Sequence, residues 1–589
     1  MPTTPTTRLQ ALRQLMAKKG VDAIIVPSAD PHMSEYLPEY WQGRAWLSGF
    51  TGSVGTLVVL HKTAYLWADS RYWLQADKQL QGSGIMLKKI GVDADYVDFL
   101  SQTLPKDATI AIDGASVSLN HYDQLATAFH HIVTDDLLEK IWENRPSLPT
   151  ASIYPHNPAF VFCSSPEKLT QIRKQMMASH ADYHLVSSLD DIAWITNLRG
   201  ADVPCNPVFL AHLLLGVDSA VLYVDEQKLD DNIKALLKNA NISTKDYKAV
   251  ADDLVNLSGA LLIDPNKVAI GTLQTLPKTV TLVKKTNPST LLKAIKSEQE
   301  LACIRRAMRQ DGIALCEFFA DFEQQLADGV VLNEVDVDTL LTKARARQPN
   351  FISPSFDSIV GFRGNGAIVH YRAEPDSCAT ITGDGLLLID SGAQYQNGTT
   401  DITRMVGVGS ILAQAKTDVT YVLKAHIALA QAVFPVGVSS VAIDVLARLP
   451  MWQAGLDYGH GTGHGVGYFL NVHEDPQVIA YSAQSCSERV LKEGMVTSNE
   501  PGLYRTDQWG IRLENLVACV ADKTTEFGEF LKFDDLTLCP FDTRLIVPEL
   551  LNDQEKTWLN NYHKKVYDAL IDGVSGSAKT WLIERTQAI

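Results

Sequence analysis

Apolar positions along the chain switch repeatedly between a repeat of about 3.6 residues and a repeat of about 2, so helices alternate with strands. Residues 8–19 place Leu9, Leu12, Leu15 and Met16 on one helical stripe. The run Ala23-Ile24-Ile25-Val26 that follows reads as a buried strand. Two further strand patterns come at Thr56-Leu57-Val58-Val59-Leu60 and Ala64-Tyr65-Leu66-Trp67. A related order returns later. Helix-like residues 166–178 lead into Tyr183-His184-Leu185-Val186, then Ser188-Leu189-Asp190-Asp191-Ile192-Ala193-Trp194, then the strand Ala220-Val221-Leu222-Tyr223-Val224. Ser28-Ala29-Asp30-Pro31 stands in the first copy where Ser188-Leu189-Asp190-Asp191 stands in the second. We read a diverged duplication, two α/β domains of similar build.

A Pro-rich stretch at 147–158 separates the copies, and Asn287-Pro288-Ser289 marks a second break. Beyond it a long helical stripe begins with Leu301, Ile304, Ala307 and Met308. Near the C-terminus Trp558, Leu559, Tyr562, Val566, Tyr567 and Leu570 recur at helical spacing. The pattern predicts an α/β (α+β) chain with domains at 1–150, 151–288 and 289–540 and a helical extension at 541–589.

Composition narrows this picture little. At 589 residues the chain exceeds one hydrophobic core. A 46% hydrophobic and 20% charged composition is that of a globular protein. The net charge of −16 argues against nucleic acid as the main partner, which leaves a basic footprint. The eight cysteines include no Cys-x-x-Cys pair and read as free, mostly buried thiols in a reducing compartment. Met1–Gly20 lacks the apolar core of a secretory signal, and no apolar run reaches the length of a membrane span. A cytoplasmic location without a membrane partner is expected.

Candidate chemistry is concentrated in the last third. Gly385-Leu386-Leu387-Leu388-Ile389-Asp390 reads as a buried strand ending in a carboxylate, and Asn397-Gly398 then signals a turn ahead of Thr400-Asp401. A two-residue turn centred on Asn397-Gly398 would set Asp401 opposite Gln394, not Asp390. The loop is therefore expected to be wider or bulged if the two acids face each other. Gly459-His460-Gly461-Thr462-Gly463-His464-Gly465-Val466-Gly467 has too much glycine for a stable helix. It lacks both the Gly-Lys-Ser/Thr ending of a phosphate loop and the spacing of a dinucleotide fingerprint. Its glycines let the backbone approach something closely. His473 follows in Asn471-Val472-His473-Glu474. In Ser498-Asn499-Glu500-Pro501, Pro501 biases Glu500 towards an extended conformation. Gly510-Ile511-Arg512-Leu513-Glu514-Asn515 reads as a strand of period two. Taken alone, it fits a half-exposed strand with Arg512 and Glu514 on its outer face as well as it fits a ligand segment.

Together Asp390, Asp401, His464, Glu500 and Glu514 make four carboxylates and one imidazole. Buried without metal they would repel one another, whereas two dications neutralise them. Oxygen ligands without thiolate favour Mn(II), with Co(II) or Zn(II) as alternatives, over a structural zinc site. Two ions about 3.5 Å apart would activate a hydroxide and polarise a carbonyl. Alone, His370 in Gly366-Ala367-Ile368-Val369-His370-Tyr371 reads as an ordinary strand histidine. Beside a metal centre it becomes a donor to a developing oxyanion.

The ordered set Val369-His370-Tyr371, Asp390, Thr400-Asp401, His460-Gly-Thr-Gly-His464-Gly, His473-Glu474, Asn499-Glu500-Pro501-Gly502 and Arg512-Leu513-Glu514-Asn515 resembles aminopeptidase P. It is most similar to the three-domain, cytosolic type of Xaa-Pro aminopeptidase in peptidase family M24. Phe50-Thr51-Gly52-Ser53-Val54-Gly55-Thr56 and Asp69-Ser70-Arg71-Tyr72 resemble the family's first domain. Leu189-Asp190-Asp191-Ile192-Ala193-Trp194, Asn197-Leu198-Arg199-Gly200 and Asn206-Pro207-Val208-Phe209 resemble its second. The resemblance implies two creatinase-type N-terminal domains followed by a pita-bread catalytic domain. It implies two divalent metal ions, with Asp401 and Glu514 bridging both, Asp390 completing one and His464 with Glu500 the other. It implies a catalytic set of His370, His473 and Glu500, and peptide contacts from Arg71, His370, His460, His464 and His473. The implied activity releases the N-terminal residue from peptides with proline second, by hydroxide attack at the dinuclear centre, in a homodimer. After His473 the chain reads Glu474-Asp475-Pro476-Gln477 where relatives often carry Gly-Pro, a departure at the substrate rim.

Two other readings compete. A prolidase cleaving Xaa-Pro dipeptides has the same catalytic fold but usually one N-terminal domain, against the duplication seen here. A non-catalytic binding protein on the pita-bread scaffold loses metal ligands, whereas this chain keeps all five.

Overall fold

A computed structural model describes residues 4–589. The chain divides into two compact units, Met1–Thr290 and Leu291–Ile589, each described by itself.

The first unit holds two six-stranded sheets. Strands β1 (Ala23–Pro27), β2 (Thr56–Leu60), β3 (Ala64–Ala68), β4 (Met86–Lys89), β5 (Thr109–Ile112) and β6 (His131–Thr134) lie in the order β4-β3-β2-β1-β5-β6. Strands β7 (Tyr183–Val186), β8 (Ala211–Gly216), β9 (Ala220–Val224), β10 (Ser243–Lys245), β11 (Ala260–Ile263) and β12 (Thr281–Lys284) lie in the order β10-β9-β8-β7-β11-β12. Read from each sheet's own first strand, the two orders are identical. The senses match as well: antiparallel across the three strands that begin each sheet, parallel for the outer neighbours. Shared topology and shared strand sense are what a duplication leaves after sequence identity has faded. Helix α1 (Pro5–Lys19) is capped by the Thr4 side chain and closed by left-handed Gly20, and it buries Leu9, Leu12 and Met16. Helix α2 (Ser165–Ala178) begins with a capping box between Ser164 and Glu167.

In the second unit, helix α3 (Glu298–Ala327) starts at a Ser297–Glu300 capping box and buries the predicted stripe of Leu301, Ile304, Ala307 and Met308. Helix α4 is Glu334–Ala346, α5 is Ala413–Ala430 and α6 is Ser440–Gln453. Strands β13 (Ile359–Phe362), β14 (Gly385–Ser391) and β17 (Ile402–Val408) form one antiparallel sheet. The short strands β15 (Ala393–Tyr395) and β16 (Gly398–Thr399) continue its hairpin. A six-stranded sheet runs β18 (Val433–Pro435), β25 (Gly528–Asp535), β24 (Asn515–Thr525), β21 (Val496–Asn499), β19 (Gly463–Gly465), β20 (Glu474–Ile479). A separate hairpin pairs β22 (Gly502–Arg505) with β23 (Trp509–Arg512). Helix α7 (Asp553–Leu570) buries Leu559, Tyr562, Val566 and Leu570.

The turn after Asp390 differs from expectation. Tyr395 pairs with Gly398, so the turn residues are Gln396 and Asn397, one position earlier than the Asn-Gly signal implies. The pairing is interrupted at Gly392 and Thr400-Asp401 but stays in step on either side, from Gln394↔Thr399 to Ser391↔Ile402 and Asp390↔Thr403. No bulge or wider loop is needed. Asp390 faces Thr403, and Asp401, two residues earlier, is its diagonal neighbour on the same face. All eight cysteines are free thiols. Half are buried (Cys303, Cys316, Cys519 and Cys539) and Cys486 is exposed, so "mostly buried" overstated the case. Among the described residues no helix is long and apolar enough to cross a membrane.

Candidate metal centre

Asp390 is delivered by β14 and Asp401 by the approach to β17; the other three residues come from the six-stranded sheet. His464 lies in β19, Glu500 directly follows β21, and Glu514 directly precedes β24. One oxygen of Asp401, one of Glu514 and a ring nitrogen of His464 all lie within 4.8 Å of one another. His464 Nε2 is 3.5 Å from Asp401 Oδ2 and 3.4 Å from Glu500 Oε1. Asp390, Asp401 and Glu514 are buried. The half-exposed strand reading of 510–515 fails: Arg512 and Glu514 are each 2% exposed, because two sheets close over that segment.

Glycine brings the elements this close. A Cβ on Gly463 would meet the Ser498 carbonyl oxygen at 2.0 Å, and one on Gly465 would meet that of Glu474 at 2.3 Å. Without side chains there, β19 packs against β21 and β20. Ser498 then links His464 to Glu500, accepting from the His464 amide at 3.0 Å and donating to Glu500 Oε1 at 3.3 Å. Gly392 does the same for the hairpin, since its Cβ would strike the Thr400 carbonyl oxygen at 2.1 Å.

Three features of this cluster fit divalent cations. First, His464 Nδ1 lies 2.9 Å from the Gly465 carbonyl, so Nδ1 carries the proton and the Nε2 lone pair points at carboxylates. Nε2 then shares its surroundings with Asp401 and Glu500 oxygens, the mixed nitrogen and oxygen donor set of a divalent cation. Second, Asp390 Oδ1 is buried with no hydrogen-bond partner. Third, charge is unbalanced. Burial first, then Asp390 and Glu500, push the Asp401 carboxyl well above the usual range. Burial and then Asp401 do the same to Glu514. Glu500 is pushed up to about 7, mainly by burial, with Asp390 adding to it and Arg512 opposing. Arg512 is the one buried guanidinium set against these four carboxyl groups, so full ionisation of the cluster calls for further positive charge.

Arg512 is the organiser that the motif reading undervalued. It donates to Asp390 Oδ2, to Tyr504 OH at 2.7 Å, to Thr403 Oγ1 at 3.3 Å and to the Val369 carbonyl at 3.4 Å. Thr403 in turn donates to Glu514 Oε2 at 2.8 Å. The Val369 contact ties the residue before His370 to the centre. His473 stacks edge-on with His464, ring centroids 4.3 Å apart. His460 Nδ1 lies 2.8 Å from the Gly461 carbonyl and Nε2 2.8 Å from Tyr504 OH, so it joins the Tyr504–Arg512–Asp390 chain. Arg71 belongs to the first unit, where Asp69 holds it through Nε–Oδ1 at 2.9 Å and Nη2–Oδ2 at 2.7 Å. Thr403 and Tyr504 were missed from sequence. Thr403 had a usable signal, because a residue two positions from Asp401 in a strand shares its face.

Comparison with known proteins agrees with this layout. Residues 302–521 match metallopeptidase family M24, and residues 529–589 match the C-terminal region of M24 peptidases. Residues 8–146 and 144–300 each match a creatinase/prolidase N-terminal domain. A probable Xaa-Pro aminopeptidase P of Laccaria bicolor is 38% identical over 596 residues, covering 98% of this chain and 92% of the relative. Aminopeptidase P2 of Arabidopsis thaliana is 37% identical, with 99% and 88% covered. The crystal structure of an X-prolyl aminopeptidase from Caenorhabditis elegans, described as a cytosolic enzyme with a di-nuclear active site, superposes with a TM-score of 0.94 at 29% identity over 100% of both chains. The chain belongs to metallopeptidase family M24, in the form that carries two creatinase/prolidase N-terminal domains ahead of the M24 domain.

Proposed function

We propose that this protein is a metal-dependent aminopeptidase that releases the N-terminal residue from peptides with proline in second position. One observation carries the reading. Asp401, His464 and Glu514 converge beside Asp390 and Glu500 in a chain that matches Xaa-Pro aminopeptidases along nearly their whole length. The X-Pro bond is a tertiary amide with no N–H, so it calls for a site that does not grip that hydrogen.

Asp390, Asp401, His464, Glu500 and Glu514 would hold two divalent ions, Mn(II) before Co(II) or Zn(II). When bound, such ions supply a water of lowered pKa and an electrophile for the scissile carbonyl. The chain's own residues do the rest. Glu500, whose Oε1 lies 3.4 Å from His464 Nε2 and accepts from Ser498, takes the catalytic role that the family resemblance implies for it. His370 is the donor to the carbonyl oxygen as charge develops on it. His473, edge-on to His464, and His460, held by Tyr504, face the peptide around the scissile bond. Arg512 donates to Asp390 and orients it.

The prolidase alternative is weakened by the second N-terminal domain, and the non-catalytic alternative by retention of all five ligands. A homodimer is supported by α6, whose outer face leaves Val445, Leu449 and Trp452 40–48% exposed as an apolar stripe. A reducing, cytoplasmic setting is supported by eight cysteines of which none is joined in a disulfide.

The test is cleavage of Xaa-Pro dipeptides against Xaa-Pro-Xaa and longer peptides, with products identified by mass. Release of the first residue from the longer peptides is expected; cleavage restricted to dipeptides would establish the prolidase instead. Arg71, for which the family resemblance implies a peptide contact, is tested in the same assay. Arg71→Ala is expected to raise KM for longer peptides while metal content stays unchanged, and unchanged kinetics at every length would remove it from the site.

A further inference from the structure

Glu334, the first residue of α4, is fully buried and lies outside the metal cluster. Its carboxylate accepts from the Phe362 amide at 2.7 Å, the Ala379 amide at 2.7 Å and the Tyr371 hydroxyl at 2.8 Å. The Asn365 side-chain amide donates to both oxygens, at 3.0 and 3.1 Å. No lysine or arginine pairs with it among the described residues. The positive end of α4, capped by Asn333, favours the charge, and neutral donors supply the remaining stabilisation.

The donors share one location. Phe362 ends β13, Asn365 lies in the turn that follows, Tyr371 adjoins His370, and Ala379 comes where the loop returns. Ala379 also accepts from the Glu334 amide at 3.2 Å, so the contact is reciprocal. The single carboxylate therefore pins the 362–379 loop at four points. Inside it, the Ile368 amide donates to the Asn365 carbonyl at 3.1 Å and the Tyr371 amide to the Ile368 carbonyl at 3.0 Å. On the other side of His370, the Val369 carbonyl accepts from Arg512 Nη2, the atom that holds Asp390. His370 is thus bracketed by two anchors: Arg512 through Val369, and Glu334 through Tyr371. Moving the loop would strand a buried carboxylate without its donors, a costly outcome that locks the geometry.

We infer that Glu334 is a positioning residue for catalysis, acting through the Tyr371 hydroxyl and the Asn365 amide to hold His370 in register with the metal centre. This deepens the proposed function, because it rests on His370 acting on the scissile carbonyl. Glu334 touches neither substrate nor metal ligands. Its effect belongs to kcat, since a donor displaced by a fraction of an ångström loses the developing charge before it loses ground-state binding.

The test is a double-mutant cycle on the metal-loaded, full-length enzyme. Glu334→Gln keeps the size of the side chain but turns an N–H group towards donors; Tyr371→Phe removes one hydroxyl only. Each is expected to lower kcat roughly 10-fold, with KM and metal content unchanged. In a His370→Ala background the same changes are expected to cost less than about twofold, because nothing remains to position. Equal losses in both backgrounds would show a general structural role and overturn the inference alone. If His370→Ala itself left kcat unchanged, the role assigned to His370 would fall and the inference with it. Tyr371→Phe decides the matter should Glu334→Gln fold poorly.

Discussion

The guanidinium of Arg512 touches Asp390, Thr403, Tyr504 and the Val369 carbonyl, so one side chain relates a proposed ligand, the neighbour of another, and the His370 turn. It compensates one of four carboxylates, and the remaining imbalance has a pH signature. Glu500 rises from 4.5 to about 7 in the fold, and Asp401 and Glu514 also move up, each mainly through burial. The metal-free fold therefore holds protons that the unfolded chain has released. Stability from these groups is complete below their ordinary carboxylate values and is lost as pH rises through about 7. Chelator-treated protein is predicted to melt at lower temperature as pH rises across this window, and metal affinity to tighten, because binding displaces those protons. Chelated melts that stay flat or rise would contradict it. The two histidines should separate cleanly. His370→Ala is predicted to lower kcat roughly 10²–10³-fold, the scale of one oxyanion donor, with metal retained. His464→Ala should lose metal. Equal metal loss in both, by elemental analysis, would place His370 among the ligands.

Strands β14 and β17 show how far an element can be read ahead. The apolar run to Asp390 gave the strand, and the Asn-Gly signal gave a reversal, but the turn lies one residue earlier, at Gln396-Asn397. That shift is invisible locally because a close approach accompanies it: where the ladder is interrupted, Gly392 lets the Thr400 carbonyl come near and the two halves stay in step. The same logic governs β19 and β21. On Gly463 a Cβ would lie 2.0 Å from the Ser498 carbonyl oxygen, which is backbone and cannot swing aside. Gly463→Ala is predicted to part β19 from β21, destabilise by about 1–3 kcal/mol as overpacking does, and weaken metal binding by separating His464 from Glu500. A variant with wild-type melting and metal content would refute this. The proposed ligands were legible as candidates because each sits in a short, odd motif. Glu334 was not, since a glutamate at a helix start reads as ordinary capping chemistry, and its donors arrive from residues 362–379 only when the chain folds.

At the scale of the molecule, the repeat was legible from the helix at 166–178 and the apolar runs of β7 and β9, and two sheets of identical order answer to it, whereas β8 was not read from the sequence. The preference for proline could not be read from burial or charge, because it depends on the shape presented to a peptide. It came from resemblance, and relatives matched along nearly their whole length carry the same activity in their names. The central claim is that five clustered residues hold two ions and that turnover needs both. The direct measurement is titration of metal-free protein with Mn(II), following bound metal and release of the first residue from an Xaa-Pro-Xaa peptide, beside Asp401→Asn. Activity is predicted to appear only as the second ion binds, and folded Asp401→Asn to lose at least one ion and nearly all turnover. Full turnover without metal, or wild-type turnover with two ions in Asp401→Asn, would contradict the account.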